Sequence, residues 1–261
     1  QKFFIIIIEQ MKRIALAQIN IDYENIEINV DKSFILIQQA IQNRCDMIIF
    51  PELWSSGFKL GKCPLIYKRN VLLFNDLQNI STNNNIEIIG SYINRIGDNY
   101  YNQFVCFHPG TSYSHYEKIN LFPALLETKY LLNGNHTVVL PTKIGQVGAS
   151  ICFDLRFPSV YKEERTQGAE VFIIPAHWPM ERILHWDILL QARAVENFAY
   201  VIGVNSVGKS GKILFGGHST VISPDGLKIL QAAGKKEGFH FVEIDLEQVN
   251  QYSEKYSYVQ K

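Results

Sequence analysis

Three side chains of this 261-residue sequence have types and settings suited to acyl transfer: Glu52, Lys118 and Cys152. Glu52 directly follows the apolar run 47–51, and apolar surroundings raise the pKa of a carboxyl group so that it can shuttle protons near neutral pH. Cys152 ends a second apolar run, where open α/β sheets place their ligands. A lysine can stabilise a developing oxyanion. Taken singly, each residue also has an ordinary interpretation, as a loop carboxylate, a solvated lysine or an inert buried thiol.

A second acidic residue, Glu127, follows Lys118 after nine positions and could pair with it, which would fix the position of the amine. A surface glutamate is the alternative. The other cysteines, Cys45, Cys63 and Cys106, are widely spaced and predict neither a zinc knuckle nor a disulfide framework. We interpret them as buried, unreactive thiols of a protein in a reducing, cytoplasmic compartment.

The elements that must position these residues occur twice along the chain. Each half has the order strand, helix, strand, predicted over 13–20, 25–44 and 46–54, and again over 145–152, 159–168 and 170–178. Pro51 matches Pro175 and Trp54 matches Trp178, both at an offset of 124 residues. The two halves therefore form an internal repeat.

Two such halves predict an α/β fold in which two sheets pack face to face with the helices outside. This is a four-layer α-β-β-α sandwich with two pseudo-repeated halves. The stretch 184–198, rich in Leu, Ala, Arg and Glu, gives the strongest helix prediction. Residues 11–261 contain no Pro- or Ser-rich linker, so we expect one domain there, preceded by an N-terminal extension over residues 1–10.

The repeat also predicts which residues line the cleft opposite Glu52. Because the two prolines match, His177 and Trp178 are expected on the same rim as Glu52, on the other side of the cleft. Core packing is the alternative for Trp178. Arg156 could bind a substrate carboxylate or make a structural ion pair.

The composition limits the classes of partner. Hydrophobic residues make up 47% and charged residues 19% of the chain, which is typical of a globular protein. The 25 basic residues balance 25 acidic ones, and this balance argues against general nucleic-acid or polybasic membrane binding. The apolar run 3–8 is too short to span a membrane. We expect no nucleic-acid and no membrane partner.

One motif matches the pattern of a different function, nucleotide binding, but the sequence that follows it argues against that function. Residues 203–210 match the phosphate-loop pattern GxxxxGK[ST] and follow a strand pattern. A phosphate loop must open a helix whose N-terminal N–H groups hold the phosphates, whereas residues 211–222 resemble a glycine loop and another strand. The seven histidines include no HxxxH or HExxH pair, which disfavours a metal hydrolase.

Three segments, in the chain order Glu, Lys and Cys, resemble the nitrilase superfamily of carbon–nitrogen hydrolases. They are Phe-Pro-Glu-Leu-Trp (50–54), Tyr-Glu-Lys-Ile-Asn-Leu-Phe-Pro (116–123) and Cys-Phe-Asp-Leu-Arg-Phe-Pro (152–158). The resemblance extends from about residue 13 to residue 245 and includes the segments 175–179 and 191–201. It implies the four-layer sandwich already predicted from the repeat, and a homodimer.

The resemblance implies that Cys152 is the nucleophile, Glu52 the general base, Lys118 the oxyanion holder and Glu127 a second glutamate that orients the site. A free thiol with a pKa near 8.5 is only about 3% ionised at pH 7, so a base must activate it. The main-chain N–H of Phe153 would help Lys118 to stabilise the oxyanion. No metal or organic cofactor is required, and the expected partner is a small-molecule amide.

Within the superfamily, the segments 178–186 and 189–197 look most like the omega-amidase group, which hydrolyses the terminal amide of short 2-oxo acids such as 2-oxoglutaramate. Asn120 stands where that group commonly has His, which leaves the acyl substrate open. N-carbamoyl amino acid amidase and deaminated-glutathione amidase activities are alternatives, as is a non-catalytic binding protein on this fold. The intact set of three chemical groups argues against the last alternative.

Overall fold

The computed structural model describes residues 11–256. The extension predicted for residues 1–10 lies outside this range, and the single domain predicted for 11–261 stays a prediction. The strands are β1 (Met11–Gln18), β2 (Met47–Ile49), β3 (Glu87–Ile96), β4 (Asn99–Phe107), β5 (Ser114–Glu117), β6 (Val139–Thr142), β7 (Gly145–Ala149), β8 (Val171–Ala176), β9 (Tyr200–Asn205), β10 (Lys209–Ser210), β11 (Ile213–Leu214), β12 (Thr220–Ile222), β13 (Lys228–Gln231) and β14 (Gly238–Asp245). The α-helices are α1 (Ile26–Gln42), α2 (Cys63–Asn84), α3 (Glu127–Tyr130), α4 (Pro158–Thr166), α5 (Ile183–Asn197) and α6 (Glu247–Lys255).

Two six-stranded sheets have the same internal order. One sheet runs β14-β1-β2-β3-β4-β5 and the other runs β6-β7-β8-β9-β12-β13. The three strands β1 to β3, and likewise β7 to β9, are parallel, while the flanking strands pair antiparallel. Each half contributes one strand to the sheet of the other half. β6, at the end of the first half, pairs with β7, and β14, at the end of the second half, pairs with β1. The predicted pseudo-repeat is therefore present in the topology.

Alternating side chains give each sheet an inner and an outer face. Ile14 and Leu16 of β1 belong to one apolar cluster with Val147 of the other sheet, so this cluster fills the space between the sheets, and it continues to Trp186 of α5. The intervening Ala15 and Ala17 belong to a second cluster, formed with α1 and α2. Helices α4 and α5 cover the outer face of the second sheet. The predicted four-layer α-β-β-α sandwich is confirmed.

The helix predictions succeeded where the apolar pattern is strong. The helices predicted over 25–44, 159–168 and 184–198 are confirmed as α1, α4 and α5. The chain leaves α5 at Phe198, whose φ of 49° lies in the left-handed region. The 22-residue helix α2 was not predicted, because polar residues are scattered along it and its last turn is Ser-Thr-Asn-Asn.

Residues 203–210 do not form a phosphate loop, which agrees with the sequence argument against one. Gly203 lies inside β9, where an added Cβ would come within 3 Å of Trp186 and Leu190 of α5, so this glycine serves close helix–sheet packing. The chain then enters the β10–β11 ribbon, and the next helix of the described chain begins at Glu247. Without a helix N-terminus after the motif, the anion site of a phosphate loop cannot form. None of the helices in the described range is long and apolar enough to cross a membrane.

Candidate active site

Glu52, Lys118 and Cys152 meet at one end of the central strands. Glu52 lies three residues after the end of β2, Cys152 lies three residues after the end of β7, and Lys118 directly follows β5. None of the three residues is more than 8% exposed. The fold thus brings together groups that belong to three distant segments of the sequence.

The ammonium group of Lys118 lies between two buried carboxylates. Its Nζ donates to Oε1 of Glu52 at 2.7 Å and to Oε2 of Glu127 at 2.8 Å. Burial by itself would lower the pKa of Lys118, but the carboxylates of Glu127 and Glu52 outweigh it and hold this pKa above its ordinary value. The amine therefore stays protonated between the two carboxylates.

Asn102 of β4 completes this network, and the sequence analysis did not identify it. Its Nδ2 donates to Oε1 of Glu52 at 2.8 Å and to Oε1 of Glu127 at 3.0 Å. Its main-chain carbonyl accepts the N–H of Lys118 at 2.9 Å. One amide side chain therefore fixes the orientation of both carboxylates. The sequence gives little signal for this role, because Asn102 is followed by a second polar residue, Gln103, in the same strand.

Cys152 has an unusual backbone conformation. Its φ of 46° places a non-glycine residue in the left-handed region, at the start of a short 3-10 helix over Cys152–Arg156. Such strain costs about 1–3 kcal/mol and recurs at functional sites. The thiol interacts with the carboxylate of Glu52 and with the main-chain N–H of His177, and that N–H also donates to Oε2 of Glu52 at 3.1 Å. The turn therefore presents the thiol to a carboxylate.

Burial sets the resting protonation states of Glu52 and Cys152. It raises the pKa of Glu52, an effect that Lys118 opposes and Glu127 strengthens. Burial, followed by the neighbouring Glu52 carboxylate, raises the pKa of the Cys152 thiol well above its ordinary value. The thiol is therefore protonated at rest and can attack only if a neighbouring base takes its proton.

Asp154 holds the loop that carries Cys152. Its Oδ2 accepts the N–H of Ile151 at 2.9 Å and the hydroxyl of Tyr116 at 2.8 Å. Its Oδ1 accepts both the main-chain N–H and the side-chain amide of Asn120, each at 2.9 Å. Asn120 thus joins the segment of the lysine to the loop of the cysteine, a role that was not predicted.

A pocket of about 350 Å³, including its open mouth, adjoins the thiol. All four residues predicted to bind substrate line it: Phe153, Arg156, His177 and Trp178. His177 is 2% exposed, yet neither ring nitrogen hydrogen-bonds to any described residue. Burial lowers the pKa of this imidazole to about 3, so the ring is neutral and offers one donor and one acceptor.

Two guanidinium groups, those of Arg156 and Arg182, also line the pocket. Arg156 lies 4.9 Å from the centroid of the Trp178 ring and contacts Nδ1 of His185 at 3.2 Å. It forms no ion pair with a carboxylate between residues 11 and 256, whereas Arg182 pairs with Glu181 at 2.9 Å. The free charge of Arg156 favours its predicted role toward an anionic substrate over a structural ion pair.

The chain is similar to known carbon–nitrogen hydrolases over almost its whole length. Residues 13–254 match the family described as carbon-nitrogen hydrolase. A hydrolase in the agr operon of Staphylococcus lugdunensis is 34% identical over 212 residues, which cover 79% of this chain and 90% of that protein. The 2-oxoglutaramate amidase of Bacillus subtilis is 30% identical over 238 residues, covering 90% and 91%.

Solved structures agree in fold. The CN-hydrolase superfamily protein XC1258 of Xanthomonas campestris matches with a TM-score of 0.88 at 23% identity, covering 95% of this chain and 96% of that one. The shared fold, together with the family match over residues 13–254, establishes the class of enzyme. This chain belongs to the carbon–nitrogen hydrolase family, within the nitrilase superfamily.

Proposed function

We propose that this protein is a thiol amidohydrolase that cleaves the C–N bond of a small amide through a thioester on Cys152. The observation that carries the proposal is the position of Glu52, whose buried carboxylate contacts both the Cys152 thiol and the Lys118 ammonium. Acyl transfer requires a base that activates the protonated thiol and a fixed cation that stabilises the oxyanion. Glu52 and Lys118 are placed to supply them.

In the first half-reaction, Glu52 removes the thiol proton as sulfur attacks the amide carbonyl. The oxyanion of the tetrahedral intermediate is stabilised by Lys118 and by the main-chain N–H of Phe153. Glu52 then transfers the proton to the amide nitrogen, the C–N bond breaks, and ammonia leaves an acyl thioester behind. Proton transfer of this kind contributes about 10²- to 10⁴-fold to rate.

In the second half-reaction, water replaces ammonia in the pocket. Glu52 takes a proton from the water as its oxygen attacks the thioester, and Lys118 again stabilises the oxyanion. The C–S bond breaks, the thiolate recovers the proton from Glu52, and the carboxylic acid is released. Glu127 does not react in this scheme; with Asn102 it keeps Lys118 and Glu52 in position.

For the substrate we propose a small amide that carries a carboxylate, with 2-oxo acid amides such as 2-oxoglutaramate first. The support is the 30% identity to a protein named 2-oxoglutaramate amidase, the small pocket and the unpaired guanidinium of Arg156 at its wall. N-carbamoyl amino acids and deaminated glutathione are the alternatives within the same mechanism. A binding protein without catalysis is the alternative outside it.

A substrate panel tests this proposal. Ammonia release should be fastest from 2-oxoglutaramate or 2-oxosuccinamate, and slower from N-carbamoyl amino acids. For deaminated glutathione, hydrolysis is measured as formation of the acid product. Faster turnover of another member would replace the substrate and keep the mechanism. Failure to hydrolyse every member, with Cys152 no more reactive toward a thiol reagent than Cys45, would favour the binding protein.

Replacing Arg156 by Gln should raise KM for carboxylate-bearing amides about 10- to 100-fold, because a charge-assisted hydrogen bond is worth about 1.5–3 kcal/mol. The change in kcat should be small, since the carboxylate lies away from the reacting carbon. An uncharged amide of similar length is the control, and its kcat/KM should be unaffected. Equal losses for charged and uncharged amides would contradict a role in carboxylate binding.

We also propose that the protein is a cytoplasmic homodimer. The four free cysteines support a reducing compartment.

The outer face of α5 supports self-association, because Leu184, Ile188 and Val195 are each about half exposed or more and lie on one side of the helix. Ile188→Asp should convert a dimer to a monomer in light scattering, whereas Ile35→Asp, equally exposed on α1, should not. A monomeric native chain would refute the proposal.

A further inference from the structure

A cluster of metal-binding side chain types lies at the end of the first sheet away from Glu52. Glu87 begins β3, where it pairs with Met47 at the start of β2, whereas Glu52 follows the other end of β2. The antiparallel register of β3 and β4 sets Cys106 opposite Ile89 and places His108 just beyond the ladder, beside Glu87. The mechanism uses none of these three groups.

Three ligand atoms of this cluster converge on one point. The carboxylate of Glu87, the thiol of Cys106 and the imidazole of His108 offer one atom each, all within 4.8 Å of one another. Nδ1 of His108 lies 2.9 Å from Oε1 of Glu87 and 3.7 Å from Sγ of Cys106. A neutral imidazole nitrogen carries at most one proton, so it cannot donate to both neighbours at once.

The remaining polar atoms of the cluster are already held from outside. Nε2 of His108 lies 2.9 Å from Oγ of Ser114, and Oε2 of Glu87 accepts the main-chain N–H of Lys143 at 2.9 Å. Partners of this kind fix the rotamers of metal ligands and the tautomer of a ligating histidine. Here they leave Nδ1, Oε1 and Sγ facing one another.

We propose that Glu87, Cys106 and His108 bind a zinc ion, with a water molecule as the fourth ligand. One thiolate, one imidazole and one carboxylate form a ligand set that zinc accepts in tetrahedral geometry. Zinc–ligand bonds of about 2.0–2.3 Å require ligand separations of about 3.6 Å for sulfur to nitrogen and about 3.4 Å for nitrogen to oxygen. The sulfur-to-nitrogen distance is already present, and the nitrogen-to-oxygen distance requires Glu87 to move by about 0.5 Å. The sulfur and the carboxylate oxygen, which lie within 4.8 Å of each other, must reach about 3.6 Å.

The site is almost wholly buried. Glu87 is 2% and Cys106 0% exposed, and the side chain of His108, which is 12% exposed, is the side of the site nearest to solvent. Zinc binds the thiolate form of cysteine, so binding should release the proton of the Cys106 thiol to solvent. When Nδ1 ligates the metal, the imidazole proton lies on Nε2, from which it can be donated to Ser114.

A metal at this site would strengthen the connection between the two sheets. Glu87 belongs to β3 of the first sheet, and its second oxygen is bound by Lys143 in the turn between β6 and β7 of the second sheet. A metal held by Glu87 would therefore stiffen the end of the sandwich away from the pocket. It takes no part in the proposed hydrolysis, which distinguishes the two proposals experimentally.

Cobalt(II) and zinc binding to the full-length Cys152→Ala protein tests this site without interference from the nucleophile. We expect one equivalent of either metal by equilibrium dialysis, a thiolate-to-cobalt charge-transfer band, and a higher midpoint of thermal unfolding with zinc. Adding Cys106→Ser should abolish the band and weaken binding more than about 100-fold, while Cys45→Ser should change neither.

Ser114→Ala provides a milder test if Cys106→Ser fails to fold. Removing the partner of a ligating histidine should weaken zinc binding about 10- to 100-fold and keep the charge-transfer band. Failure of the Cys152→Ala protein to bind either metal would overturn the proposal. So would a charge-transfer band that survives Cys106→Ser. Either result leaves hydrolysis by the native enzyme unaffected.

Discussion

The Cys152→Ala protein should lose ammonia release from every amide by at least about 10⁴-fold, because Cys152 is the one thiol among the described residues that line the pocket. The fold should survive, since Cys152 is a small residue in a loop that Asp154 holds through Ile151, Tyr116 and Asn120. The left-handed φ of residue 152 persists in the alanine protein, so its stability should change little. Initial rates on the best substrate of the panel, with circular dichroism as a check on folding, measure this effect.

Two variants make the loss of Cys152 interpretable. Cys45→Ala removes a buried thiol that lies before the start of β2, at the other end of this strand from Glu52, and should keep native kcat/KM. Glu52→Gln keeps the thiol but removes the base, and should lower kcat about 10²- to 10⁴-fold. Residual activity of the Cys152→Ala protein above that of Glu52→Gln would contradict a thioester route.

Lys118→Met should impair both activity and stability, because one ammonium serves the oxyanion and two buried carboxylates. Removing an oxyanion donor costs about 10²- to 10³-fold in kcat. The carboxylates of Glu52 and Glu127, both 0% exposed, then lose their buried cation, and breaking a buried ion pair costs about 3–5 kcal/mol of unfolding free energy. Lys129→Met, an exposed position on α3, is the matched control and should cost little.

The pH dependence of this loss has a definite sign. Without Lys118, the pKa of Glu52, which burial already raises, rises further, so its favourable protonated form is present at low pH and is lost as pH rises. Denaturant unfolding should therefore show a larger deficit for Lys118→Met at pH 8 than at pH 5. The double variant Lys118→Met/Glu127→Gln should recover part of the deficit at pH 8, since one buried charge is gone. A deficit that is independent of pH, or that Glu127→Gln deepens, would contradict the buried network.

The main elements of the site were predictable because each one is encoded locally. Glu52 and Cys152 each follow a short apolar strand, and such strands place the next residues at the sheet edge where ligands bind. The match of Pro51 to Pro175 predicted two similar halves, and this repeat led to His177 and Trp178 on the pocket wall. Local strand–turn patterns therefore carried both the fold class and the location of the site.

The residues that were missed act across strands. In the sequence, Asn102 looks like an ordinary strand residue. Its role arises only because the folded sheet places it between Glu52 and Glu127. Asn120 acquires its role only when the loop of Cys152 folds over it. Helix α2 was missed because its burial comes from packing on the first sheet rather than from a strong apolar stripe. The exchange of β6 and β14 between the halves also has no local signal.

Acylation of Cys152 by substrate is the central claim, and rapid acid quenching followed by peptide mass spectrometry tests it most directly. The methyl ester of the preferred acid is the best probe, because its better leaving group lets acylation outrun hydrolysis of the thioester. We expect a mass increase equal to the acyl group on the peptide that contains Cys152, at a level that rises with substrate and disappears in Cys152→Ala. Hydrolysis of the ester without any adduct on that peptide, or with an adduct on Cys45, Cys63 or Cys106 instead, would contradict the mechanism.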